Sequence, residues 1–205
     1  PAGNSPAVTV AAFLSGWAEA VGTETEATNG YPKRIRRAKD GGEMVLIPAG
    51  EYMMGSPDSD KGDLNKGDLS YNVMPSEKPQ HRVRITKPFY LGKCEVMQEQ
   101  WQAVMVNNPS YHNGPKKPVE KVSWDDCQKF LDKLNAKLGN HGGKFSLPTE
   151  AQWEYACRAG STTRSCFGDA QAGLGEYAWY NGSSQDRSSG SVGPYPVGGK
   201  KPNAW

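Results

Sequence analysis

The chain is short of apolar residues, cysteine and histidine, and it has no long hydrophobic run. Hydrophobic residues are 36% of 205, below the usual globular share, so a large all-apolar interior is excluded. No stretch approaches the roughly 20 apolar residues of a membrane-spanning helix. The N-terminal residues also lack the charged start and apolar middle of a signal peptide, which leaves the compartment open. Net charge is +2, with both signs interleaved, so the basic stripe of a nucleic-acid surface is missing. Three histidines, His81, His112 and His141, offer no nucleophile–base set, and two of them lie in Gly/Pro-rich loops. There is no Gly-x-Ser-x-Gly elbow, no phosphate loop closing on Lys-Ser or Lys-Thr, and no His-Glu-x-x-His helix. The four cysteines, Cys94, Cys127, Cys157 and Cys166, form no Cys-x-x-Cys pair and have no histidine at zinc-finger spacing. Buried free thiols are expected, because the first three occupy apolar positions of predicted elements; export would permit disulfides.

What the chain does have is glycine, 24 residues, and proline, 15 residues, which put much of the backbone in turns and irregular loops. The length suits one domain with a tail. Residues 1–42 read as a linker-like segment: a helix over 10–21 with Phe13, Leu14 and Trp17 on one face, a polar run, and a solvated basic cluster of Lys33, Arg34, Arg36, Arg37 and Lys39. Order is expected from Glu43. Met44-Val-Leu-Ile47 and Glu51-Tyr-Met-Met-Gly55 flank Pro48-Ala-Gly50 and predict a hairpin. The loop over 56–80 holds Asp58, Asp60 and Asp63, but without the terminal glutamate and flanking helices of an EF-hand it is assigned no calcium.

Two strands are expected at 81–86 and 89–96, followed by a helix with Met97, Trp101, Val104 and Met105 on one face. Ser123-Trp-Asp-Asp126 opens a second helix whose inward residues are Trp124, Cys127, Phe130, Leu131, Leu134 and Leu138. The densest signal is 147–160, Leu-Pro-Thr-Glu-Ala-Gln-Trp-Glu-Tyr-Ala-Cys-Arg-Ala-Gly. Thr149 and Gln152 form a capping box, Glu150 sits at the positive helix end, and Gly160 supplies a stop. Trp153, Ala156 and Cys157 form an apolar stripe, so truncating a buried Trp153 would cost about 3–5 kcal/mol. The pairs Asp125-Asp126 and Glu150 with Glu154 read as caps and a solvated face rather than as acid–base machinery. Three modest helices, short strands and long loops in one compact unit make an α+β fold with little regular structure.

Taken in order, several segments resemble the formylglycine-generating enzyme, or sulfatase-modifying factor, domain family. They are Met44-Val-Leu-Ile-Pro-Ala-Gly-Glu-Tyr-Met-Met-Gly-Ser56, Pro79-Gln-His-Arg-Val83, Phe89-Tyr-Leu-Gly-Lys-Cys-Glu-Val96, Pro118-Val-Glu-Lys-Val-Ser-Trp-Asp-Asp126 and 147–158, with Lys201-Pro-Asn-Ala-Trp205 resembling the opening of the family's next block. The resemblance covers 43–205 and implies a C-type-lectin-like fold, here a partial domain truncated at the C-terminus. It implies an oxygen- and copper-dependent oxidase that converts a sulfatase cysteine, within Cys-x-Pro-x-Arg, to formylglycine. The partner is then an extended cysteine-containing peptide or a sulfatase; the alternative is a non-catalytic module that binds another protein or a glycan on the same scaffold. The family's two copper-binding cysteines match no residue of this chain, so Cys94, Cys127, Cys157 and Cys166 receive no catalytic role. The family's first calcium site falls near 177–181 and implies Asn181 as an oxygen ligand. The family's usual Tyr and Thr are replaced by Cys94 and Met97, and the second change removes a helix N-cap worth about 1 kcal/mol.

Overall fold

Strand pairing reaches much further along the chain than adjacency suggests. The computed structural model describes residues 17–22, 31–60, 75–136, 143–169, 173–180, 185–186 and 191–205. These group into two compact units rather than one: Pro1–Ile47, Phe89–Leu147 and Pro194–Gly199 form the first, and Pro48–Pro88, Pro148–Gly193 and Lys200–Trp205 the second.

The first unit carries a four-stranded antiparallel sheet of β1 (Ala18–Ala20), β2 (Arg34–Arg37), β3 (Glu43–Ile47) and β6 (Phe89–Gly92), in that spatial order. Residues 18–20 are strand, not the end of a helix; the rest of that predicted helix, 10–16, lies outside the described residues. The basic cluster is structural rather than merely solvated. Glu19, Arg36 and Glu43 are cross-strand partners in register, and Arg36 bonds both carboxylates at 3.2 and 2.9 Å. Arg36 first, and Lys93 second, hold the Glu43 carboxyl below its usual range. Arg37 grips Asp40 with both arms of its guanidinium at 2.9 and 2.6 Å. On the opposite side of the sheet from Arg36, the fully buried Ile35 faces its register partner Met44, with Trp17, Tyr90 and Phe145 packed around them. Order therefore begins upstream of Glu43.

The predicted β3–β4 hairpin does not form. Strand β3 pairs with β2 on one side and β6 on the other, while β4 (Gly50–Met54) pairs with β5 (His81–Ile85) in the second unit. With both its edges taken, β3 has no place for its neighbour in sequence.

Helices α1 (Gln98–Met105) and α2 (Trp124–Ala136) complete the first unit. Trp101, Val104, Phe130 and Leu134 form its core, with Trp101 stacked on Phe130 at a centroid distance of 5.1 Å. Helix α2 is capped as its sequence predicts, Ser123 Oγ accepting from the Asp126 amide while Asp126 accepts from the Ser123 amide, both at 3.1 Å. Trp124, expected inside, is 67% exposed, because six residues at 3.6 per turn place it about 120° around the helix from the buried Phe130. Leu138 lies outside the described residues.

Met97 supplies no side-chain acceptor to α1, but the reverse half of the cap survives, its amide donating to Gln100 Oε1 at 2.9 Å. Two further first-turn donors find backbone: Gln98 and Glu99 amides reach the Lys117 and Pro115 carbonyls at 2.9 and 3.1 Å. The buried Gln98 side chain closes the same loop. It donates to the His112 and Pro118 carbonyls and accepts from Asn108 and the Gly114 amide, at 2.9–3.3 Å, so all four of its hydrogen-bonding positions are used.

Helix α1 ends on Val106, a β-branched residue held at φ 74° and 85% exposed. That backbone region costs a non-glycine residue about 1–2 kcal/mol, and the exposed side chain returns little by packing. Val106→Gly is therefore expected to stabilise the chain by about 0.5–1 kcal/mol after the extra unfolded-state freedom of glycine. A raised denaturant midpoint with an unchanged slope is the expected reading; a lowered midpoint would show that Val106 is held by contacts rather than strained.

Candidate functional site

The second unit is built on Gly55, at the end of β4. Its φ is 88°, and a Cβ placed there would meet the Glu77 carbonyl oxygen at 2.3 Å, so only glycine fits. Both of its backbone groups are used. The amide donates to Glu154 Oε1 at 2.9 Å, and the carbonyl accepts from Gln80 and from Arg158 Nη2 at 3.2 and 3.1 Å. Glu154 and Arg158 pair at 2.7 Å one turn apart on α3 (Glu150–Arg158). Ser56, also buried, bonds Glu77 through its amide and its hydroxyl at 2.9 and 2.8 Å.

Helix α3 has the predicted capping box, with Gln152 N to Thr149 Oγ1 at 3.2 Å and Thr149 N to Gln152 Oε1 at 3.0 Å. Its left-handed stop starts one residue before the expected Gly160, at Ala159 with φ 48°. The predicted apolar stripe is not its buried face. Tyr155 and Ala156 are buried; the Tyr155 ring lies 5.3 Å from Tyr52 and 6.1 Å from Trp205, and a Cβ on Gly50 would meet its hydroxyl at 2.3 Å. Tyr52 bonds the Ala151 carbonyl at 2.8 Å, and burial first, then Glu154, pushes its phenol up to about 12, so it remains a donor at neutral pH. Trp153 is 58% exposed and Cys157 is exposed too.

Glu150, Trp153, Glu154 and Cys157 follow i, i+3, i+4, i+7 spacing, and together they line a cleft of about 930 Å3. The other walls are Met54 to Pro57, Glu77 to His81, and Arg164 with Asp169. Most of the wall charges are internally committed. Arg164 binds Asp60 through two nitrogens at 2.9 and 2.6 Å, and Lys78 donates to the Asp58 and Asp60 carbonyls at 3.2 and 3.0 Å. His81 Nδ1 meets the Pro79 carbonyl at 3.0 Å; a carbonyl only accepts, so this nitrogen is the donor. Asp63 of the acidic loop lies outside the described residues.

Sequence reasoning assigned no catalytic residue, and its calcium-ligand expectation, Asn181, lies outside the described residues. The aromatics just before it serve packing: Tyr177 stacks on Phe167 at 4.6 Å and Lys200 Nζ sits 3.6 Å from the Trp179 ring centre. Copper(I) held by thiolates requires deprotonated sulfur. Burial pushes the Cys94, Cys127 and Cys157 thiols up, and no three His, Cys, Asp or Glu side chains group together among the described residues. The described residues do not fit copper.

A family model described as the sulfatase-modifying factor enzyme 1-like domain matches residues 30–205. The chain belongs to this family. That match begins upstream of Glu43 and includes β2. Among solved structures, the sulfatase-modifying factor-like chain is similar to PvdO from Pseudomonas aeruginosa, 28% identical with a TM-score of 0.64, covering 82% of this chain and 66% of that one. Treponema denticola variable protein 1 is 27% identical with a TM-score of 0.58, covering 79% and 66%. The family match, these neighbours and the few helices with antiparallel sheets bear out the lectin-like α+β fold. A protein from Paenibacillus barcinonensis named "Chaperone protein LppX" is 30% identical over a region that is 45% of this chain and 44% of that protein. The chain thus spans less than half of that curated relative. Among the described residues no helix is long and apolar enough to cross a membrane.

The exposed indole reverses the expected cost of removing it. Trp153→Ala should destabilise by about 1 kcal/mol or less, as exposed substitutions do, whereas Tyr155→Ala should cost about 3–5 kcal/mol. Parallel urea melts check both, and equal losses would contradict the orientation of α3. Gly55→Ala should cost more than about 3 kcal/mol, since it combines a forbidden φ with a backbone clash.

Proposed function

We propose that the second unit is the polypeptide-holding part of a sulfatase-modifying factor-type protein, its cleft receiving an extended peptide across the exposed face of α3. The observation that carries this reading is Trp153. The largest side chain of the helix points into an open cleft of about 930 Å3, a size that suits a ligand of several residues, when it could have filled a core. An aromatic anchor flanked by hydrogen-bonding groups with fixed positions is how peptide sites combine affinity with orientation. The Glu154–Arg158–Gly55 network holds that anchor from behind, which lowers the ordering cost of binding. Similarity to a protein named a chaperone points to another polypeptide as the occupant.

The second reading is the family's oxygen- and copper-dependent conversion of a cysteine to formylglycine, and family membership favours it. It needs two thiolates placed for copper, whereas burial pushes the Cys94, Cys127 and Cys157 thiols up. Calcium, with Asn181 as a ligand, belongs to the same reading.

Calorimetric titration with a Cys-x-Pro-x-Arg peptide separates the two. Binding that weakens about tenfold in Trp153→Ala, or roughly 1.4 kcal/mol, supports the cleft; unchanged affinity in the variant would move the peptide elsewhere. With copper and oxygen added, the 205-residue chain is expected to yield no aldehyde on that peptide. Robust aldehyde formation, detected by hydrazide capture, would overturn the binding reading in favour of the oxidase.

A further inference from the structure

Strand β5 is paired on one side. Its five residues, His81–Ile85, run antiparallel to β4, and among the described residues no strand or backbone bond reaches its other edge. Every second residue of such a strand turns its amide and carbonyl away from the partner, so the edge presents donors and acceptors at the spacing of an added strand. The register also sorts the side chains. Arg84 lies opposite Glu51 and Arg82 opposite Met53, which puts both arginines on one face, while the half-buried Val83 and the buried Ile85 take the other. Both arginine side chains are 74% exposed. Glu51 is the one carboxylate that meets them among the described residues, pairing with Arg82 and standing 3.8 Å from Arg84 Nε. One carboxylate against two guanidiniums leaves the face positive, with most of its N–H donors open. Two solvated arginines in a row add little to folding, and like charges directly opposite keep a second β5 from pairing here. The same row favours a strand of opposite charge.

We propose that the outer edge of β5 is a docking site for an extended acidic segment of another polypeptide, which joins the sheet as a third strand. Main-chain bonds along the edge supply affinity, and side chains at alternate positions supply selection. Arginines at i, i+2 project from one face about 7 Å apart, and the added strand carries its own i, i+2 side chains at the same spacing. Carboxylates two residues apart therefore meet both guanidiniums in a charge-assisted, planar fit. The residue between them turns to the side of Val83, where an apolar side chain covers the half-buried valine. The ligand class is a strand-forming segment that reads acidic, apolar, acidic. Neither arginine lines the cleft, although His81, at the start of the strand, does. Docking on this edge does not depend on what the cleft binds.

The test titrates the full 205-residue chain into a fluorescein-labelled Thr-Glu-Val-Glu-Val-Thr peptide with blocked ends, read by fluorescence anisotropy at low salt. Saturable binding is expected, weakened about tenfold when both glutamates of the peptide become glutamine and to a similar extent in the Arg82→Ala, Arg84→Ala double variant. Added salt should weaken it as well, because the pairs are solvent-exposed. Hydrogen exchange on the unmutated chain then locates the peptide. Amides within 81–85 that exchange fast in the free chain should slow about tenfold or more once the peptide is bound. No saturable binding, or equal binding of the glutamine peptide, overturns the proposal. So does binding that leaves 81–85 unprotected, since that would be attraction of charge without an added strand; this outcome is read on unmutated protein and does not depend on how the variant folds.

Discussion

The second unit depends on one charge-assisted clamp. The Glu154 carboxylate takes the Gly55 amide at 2.9 Å while Arg158 takes the Gly55 carbonyl at 3.1 Å, and the two side chains pair with each other at 2.7 Å. Side-chain exposures of 16% and 21% make this pair partly buried, and there an ion pair with its lone pairs satisfied is worth more than a fully solvated one. Arg158 also reaches the Thr163 carbonyl, so strand end, helix and following loop share one node. Gly55 is obligatory because the clamp needs its bare backbone. Once Glu154 and Arg158 are fixed as one row of α3, the helical period decides the rest: Tyr155 and Ala156 turn to the core, and Trp153 and Cys157 turn to the cleft.

The first unit solves its comparable problem without charge. A helix start leaves amide donors unpaired, and the loop after α1 leaves carbonyls unpaired; here each satisfies the other. Gln98 and Glu99 amides meet the Lys117 and Pro115 carbonyls, and the Gln98 side chain fills the remaining positions on both sides of its amide. Asn135 does the same for Phe145, bonding both backbone groups at 2.9 and 2.8 Å so that the ring stays against Ile35 and Met44. A loop-rich chain with only 36% hydrophobic residues holds its irregular backbone by side-chain amides, because each buried unpaired group would cost about 1–3 kcal/mol.

Features set by near neighbours were legible in the sequence, and features set by distant partners were not. The Ser123–Asp126 and Thr149–Gln152 caps act over three residues, and both formed as read. Strand β2 escaped notice because Ile35 is its one apolar residue among arginines, and its worth becomes visible only when Met44 lies opposite. The β3–β4 hairpin looked local, but Gly92 and Ile85 hold the deciding registers. On α3, Ala156 borders both Trp153, three residues before it, and Tyr155, next to it, so the buried face could be centred on either aromatic. What breaks the tie is Gly55, 99 residues upstream of Glu154, and nothing within the helix encodes that contact. The family segments placed the fold correctly for the reason that they record such long-range pairings together.

The rotation of α3 separates scaffold from site within a single helix. Positions 154, 155, 156 and 158 are held by the clamp and the tyrosine core, so substitutions there threaten folding. Positions 150, 153 and 157 lie on the cleft face beside Glu154 and Arg158 without belonging to the clamp, and there exposure makes substitution cheap in stability. A protein can therefore change what the cleft face meets while leaving the clamp untouched, the usual route by which one scaffold carries different functions. Keeping an indole at position 153 is then not a demand of packing. A half-exposed tryptophan on the cleft face gains little in folding and leaves apolar surface in water, a cost that the peptide proposed for the cleft would recover.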